Sequence, residues 1–90
     1  MSGLYVRVEP VDLLVLDGEG LALYPDQFVR LGPLGTCLVA AAEAPRTIGD
    51  LADALTDAFG SPPDGDALDA TRAAVSDLVA QGVLREVDGV

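Results

Sequence analysis

Apolar positions along this chain fall first into short runs and then into stretches spaced by three and four residues. That change of period separates a strand-forming first third from a helical remainder. Leu13-Leu14-Val15-Leu16 is a brief apolar run closed by Asp17-Gly18, a dipeptide suited to a tight hairpin turn. Leu21-Ala22-Leu23-Tyr24 reads as the return strand, and Pro25-Asp26 turns the chain again. Phe28-Val29-Arg30-Leu31 supplies the next strand, rich in β-formers. Gly32-Pro33 ends it. Ahead of these, Leu4-Tyr5-Val6-Arg7-Val8 alternates weakly and stops at Pro10, so residues 1–11 read as an N-terminal arm or short strand and 12–87 as one domain.

Pro33 suits the first turn of a helix. Leu34, Cys37, Leu38 and Ala41 then share one face of a helix that should end near Ala44-Pro45. Thr47 is a good N-cap for the next helix, with Asp50 three residues on as a short-armed capping box. Ile48, Leu51, Leu55 and Ala58 or Phe59 form its apolar stripe, Gly60 suits its end, and Ser61-Pro62-Pro63 makes a stiff connection. Asp64 or Asp66 caps the last helix, whose Leu68, Thr71, Val75 and Leu78 or Val79 face inward. Gly82 ends it, and Val83 to Val87 forms a short extended tail. The expected fold is α+β: a three-stranded antiparallel sheet followed by three helices, winged-helix-like.

Charge and composition remove several function classes. The net charge is −10, from 15 acidic residues against five arginines. Nucleic-acid affinity comes mainly from cationic groups displacing counterions, and anionic membrane is disfavoured for the same reason. A DNA-reading last helix would need basic residues, yet Asp66, Asp69 and Asp77 stand there against Arg72 alone. No histidine occurs, which removes the commonest general base and transition-metal ligand. Asp64-Gly65-Asp66-Ala67-Leu68-Asp69 lacks the spacing and closing glutamate of a calcium loop, and reads as an acidic helix start. Cys37, the one cysteine, sits on an apolar helix face and reads as structural. A single cysteine forms no internal disulfide, and no signal peptide or membrane span is evident, so a cytoplasmic protein is expected. Neither catalysis nor a cofactor is expected.

Among acidic helical proteins, an acyl or peptidyl carrier needs an exposed serine just after an aspartate at a helix start. Ser2, Ser61 and Ser76 do not meet that pattern. Leu21 to Leu31, read as L-A-L-Y-P-D-Q-F-V-R-L, resembles instead two strands of the PqqD-like family, the recognition elements that bind leader segments of ribosomally made, modified peptides. The resemblance continues through Leu34 to Ala44, through Pro45 to Leu51 and Asp57 to Gly60 at the ends of the second helix, and through Asp66 to Leu84. It departs at Gly32, where the family often has asparagine.

The resemblance implies a site. A leader would add an antiparallel strand to the backbone of Gln27, Phe28, Val29, Arg30 and Leu31, against a helical wall of Arg72, Val75, Ser76 and Val79. The implied partners are a precursor (leader) peptide and a separate maturation enzyme, and the chain itself would be a monomer or a strand-exchanged dimer. Phe28 and Arg30 point to one side of the strand and Val29 and Leu31 to the other; both pairs stay open as the ligand-facing one. Phe28 and Leu31 are expected in the core, Arg30 serves equally as a charge that deters edge aggregation, and Arg72 equally as a partner for Asp69 or Asp77. About four hydrogen bonds at roughly 1 kcal/mol each do not exceed the cost of ordering five residues at about 1–2 kcal/mol apiece. Affinity therefore requires about two or three large hydrophobes on the partner, at alternating or near-alternating spacing, and the acidic surface favours a leader that is neutral or basic overall. A non-catalytic protein-protein interaction domain of the same fold is the alternative, followed by a winged-helix DNA-binding protein, which the charge disfavours.

Overall fold

The computed structural model describes residues 3–60 and 65–88. Four strands, β1 (Gly3–Arg7), β2 (Asp12–Leu16), β3 (Glu19–Tyr24) and β4 (Gln27–Leu31), precede three helices, α1 (Pro33–Ala41), α2 (Ile48–Phe59) and α3 (Ala67–Ala80). Strand β5 (Leu84–Asp88) follows them. The result is a small α+β domain with two antiparallel sheets, one of order β2-β3-β4 and one of β1 with β5.

The larger sheet follows from its turns. Asp17 and Gly18 both take positive φ, 54° and 80°, the mirror-image turn whose twist matches the flanking strands. It fixes the register Leu16↔Glu19, Leu14↔Leu21 and Asp12↔Leu23. Beyond Pro25-Asp26, β4 returns with Tyr24↔Gln27, Leu23↔Phe28, Leu21↔Arg30 and Gly20↔Leu31. The sheet's inner face rests on α1: Gly20 is buried beneath it, so close that a side chain there would meet Thr36.

The single sheet with a loose arm and tail is corrected by the pairing of the two ends of the domain. Tyr5 faces Glu86 and Arg7 faces Leu84 across the β1–β5 ribbon. Tyr5 also exchanges main-chain bonds with Arg46 at 2.7 and 2.9 Å, which ties the ribbon to the approach of α2. Arg7 N–H takes the Ala42 carbonyl at 2.8 Å, and α1 stops at Ala41, short of the expected Ala44.

At α2, the Thr47 hydroxyl accepts from Asp50 N–H at 3.0 Å and the Asp50 carboxylate accepts from Thr47 N–H at 3.3 Å, a reciprocal cap. Asp66 caps α3 by accepting from Leu68 N–H at 2.8 Å. The Ser61-Pro62-Pro63 connection and the alternative cap Asp64 lie outside the described residues. Leu38, Val39, Leu51, Val75, Val83 and Leu84 form the buried centre. Several expected core positions are instead at its rim: Leu34, Phe59, Leu68 and Val79 are exposed, because each lies in the first or last turn of its helix, beyond the packed middle of a bundle of only three helices. No helix among the described residues is long and apolar enough to cross a membrane.

Candidate peptide-binding edge

Hydrogen-bond parity decides which main-chain groups of the larger sheet are free. In a two-residue hairpin the residues flanking the turn form a bonded pair, so Glu19 turns its main chain toward β2, and Leu21 and Leu23 do likewise. The Leu23 carbonyl accepts from Val11 N–H at 2.7 Å, in keeping with that parity. Gly20, Ala22 and Tyr24 therefore turn toward β4, where they bond with Leu31, Val29 and Gln27. On β2 this leaves the main chain of Leu13 and Val15 facing outward, and on β4 that of Phe28 and Arg30, whose N–H and C=O groups point away from the sheet. Strand β4 is a sheet edge, and among the described residues nothing pairs with these groups. The open rail ends at the next outward residue, Gly32, whose carbonyl accepts both the amide and the hydroxyl of Thr36 at 2.9 Å in the first turn of α1.

Side chains on β4 divide as the strand period requires. Leu31 is buried at 3% exposure and Val29 is half-buried, both on the inner face; Leu31 and Leu78 of α3 meet across Gly35. Phe28, expected in the core, is 67% exposed on the outer face. Its neighbours there are Leu23 across the ladder, then Arg30, Leu21, Leu14 and Leu16. Phe28, Arg30, Leu14, Leu16 and Leu21 line a shallow basin of about 440 Å³ with Asp17, Glu19 and Gly20. Arg30 is exposed and lies within salt-bridge distance of no described carboxylate.

The helical wall is elsewhere. Arg72, Val75, Ser76 and Val79 line a groove of about 320 Å³ with Tyr5, Ile48 and Glu86, between α3 and the β1–β5 ribbon. No residue of β4 lines it. The approach of α3 to β4 uses another side of the helix: Leu31 and Leu78 both lie over Gly35 of α1, and the Gln27 side-chain amide donates to the Gln81 carbonyl at 3.4 Å. Arg72 pairs with Asp69 at 3.5 Å, both exposed, an interaction of little energetic weight. The structure thus brings Gln27 to Leu31 together as an edge and the four α3 residues together as a groove wall, but does not join the two.

The expectation from sequence misses the apolar outer face. Its signal is present: neither β2 nor β3 alternates with polar residues, so Leu14, Leu16, Leu21 and Leu23 have to occupy one face while Leu13 and Ala22 occupy the other. Tyr5, Ile48 and Glu86 have no such signal, because the β1–β5 pairing that assembles them spans nearly the whole chain.

Little reactive chemistry accompanies this edge. The Cys37 thiol is part-buried, directed at the Ala54 carbonyl at 3.8 Å, and burial pushes its pKa up, away from a nucleophilic thiolate. Among the described residues no cluster of three or more His, Cys, Asp or Glu could hold a metal ion. Tyr24 donates its hydroxyl to the Val8 carbonyl at 2.8 Å; burial first, then the Glu9 carboxylate, raises its pKa against the opposing Arg7. No family model, curated protein or solved structure matches this chain.

Proposed function

We propose that this chain is a leader-recognition module of the PqqD-like, winged-helix-like type. It captures an extended segment of a ribosomally made precursor by strand addition and presents it to a separate modifying enzyme, without chemistry of its own. The observation that carries this reading is the unpaired β4 edge. Its outward Phe28 and Arg30 main chain lies on a strand whose inner face is fixed in the core through Leu31. Strand addition at such an edge takes affinity from main-chain bonds and selectivity from alternate side chains. The N-terminal strand, which could have covered the edge, pairs with β5 instead and leaves room for a guest. Exposed Phe28 and the neighbouring leucines give the apolar anchorage that main-chain pairing alone lacks.

A second reading has an observation of its own. The exposed outer face, with Leu14, Leu16 and Phe28 open to solvent, equally suits a non-catalytic domain that docks on a protein surface. Amide shifts in the isotope-labelled protein separate the two. Titration with a candidate leader peptide should move the Phe28 and Arg30 amides first. Shifts confined to β2 and β3 would favour surface docking, and the absence of any shift would remove the leader reading.

A further inference from the structure

The main-chain parity of β4 does more than offer an edge; it sets the register and side-chain requirements of the guest. We infer that the guest strand carries an acidic residue opposite Arg30 and a large apolar residue two positions later, opposite Phe28. This inference rests on strand addition at β4. Because only Phe28 and Arg30 present outward N–H and C=O groups, a guest can form bonded pairs at those two positions alone. An antiparallel guest, continuing the pattern of this sheet, meets Arg30 before Phe28.

The guest residues in those pairs project onto the outer face, because directly paired residues share a face. One lands beside Arg30, a cation within salt-bridge distance of no described carboxylate, with Leu21 behind it. The other extends the row made by Leu23 and Phe28, where a large apolar side chain covers the exposed ring. The residue between them falls on the inner face beside half-buried Val29, which favours a β-branched apolar side chain. The recognised chemistry is therefore acid, β-branched, large apolar, read from N- to C-terminus, within a peptide that is otherwise neutral or basic.

The test uses the heptapeptide acetyl-Lys-Thr-Glu-Val-Leu-Thr-Lys-amide and the full chain, with affinity read by calorimetry. N-methylation of the Glu or the Leu should weaken binding by about fivefold or more, whereas N-methylation of the Val between them should change little, because that N–H points away from β4. Replacing the Glu by Lys should cost about three- to tenfold, and Arg30→Glu should reverse the Glu-over-Lys preference. Arg30→Gln should abolish the preference, and both variants change an exposed side chain, so circular dichroism should match the wild type. Indifference to N-methylation at all three positions would overturn strand addition itself. A correct N-methylation pattern with a charge preference that persists in Arg30→Glu would leave strand addition standing and overturn the recognition rule. Loss of binding on methylating the Val alone would overturn the register.

Discussion

The two edges of the β2-β3-β4 sheet are built differently. On β2, the outward N–H of Leu13 is already taken by the Asp12 carboxylate at 2.9 Å, and Val15 and Leu16 stand 56% and 77% exposed. On β4, the outward main chain of Phe28 and Arg30 has no described partner, yet the same strand is anchored below by Leu31, 3% exposed. An edge that is weakly supported and partly capped is the poorer template for pairing. An edge held rigidly from beneath and left unsatisfied is a template, because a guest does not have to order it. Neither property alone makes a site; the difference between the edges lies in their combination on one strand.

The largest way to break the comparison is to remove the anchor. Leu31→Ala leaves a cavity where β4, α1 and α3 meet and should cost about 2–5 kcal/mol in urea unfolding. Val15→Ala, on the corresponding inner face of β2, should stay within about 0.5 kcal/mol. Equal costs at the two positions would show that the edges are equally supported.

Proline probes the main chain directly. Arg30→Pro deletes an outward N–H and no ladder bond, a placement that edge strands tolerate. It should lower affinity for the leader or the heptapeptide by about tenfold or more, and further than Arg30→Gln, which removes the charge alone, with circular dichroism preserved. Val15→Pro, also outward but on β2, should leave that affinity unchanged. If the two variants weakened binding alike, the guest would not be choosing β4.

Much of this asymmetry is legible in the amino-acid sequence, though not its decisive part. Asp17-Gly18 marks the first hairpin, Pro25-Asp26 the second and Thr47 with Asp50 the cap of α2, because turns and caps are local chemistry. The pairing of Tyr5 with Glu86 is not legible, since an alternating run of five residues does not announce a partner some 80 positions away. The facing of Phe28 departs from expectation for a related reason. Strand period separates Phe28 and Arg30 from Val29 and Leu31, but which pair is buried depends on where the helices land. Along α3, Arg72, Val75, Ser76 and Val79, which the resemblance implies as one wall, line a single groove, and the β1–β5 ribbon, invisible in the local pattern, determines what they face.

A smaller effect sharpens the other side of the comparison. Asp12→Ala frees the outward Leu13 N–H on β2 and should cost about 0.5–1 kcal/mol in unfolding. It should also promote weak self-association, seen as concentration-dependent sedimentation, because it removes a carboxylate and uncaps an edge whose Val15 and Leu16 are exposed. Unchanged stability would mean that water replaces Asp12 at no cost and that β2 is not blunted by this bond.

The smallest effect is confined to alkaline solution and concerns the base of β4. Tyr24, paired with Gln27, donates to the Val8 carbonyl and so ties the start of β4 to the segment leaving β1. Its pKa is raised in the folded protein, chiefly by burial and then by Glu9, so the neutral phenol is the form that folding favours. The associated stability is complete below the unfolded value near 10 and is lost as pH rises through the higher folded value. Thermal midpoints should therefore fall more steeply above about pH 10 in the wild type than in Tyr24→Phe, which has no proton to lose. Parallel profiles for the two proteins would detach Tyr24 from the support of β4 and leave Leu31 as the strand's principal anchor.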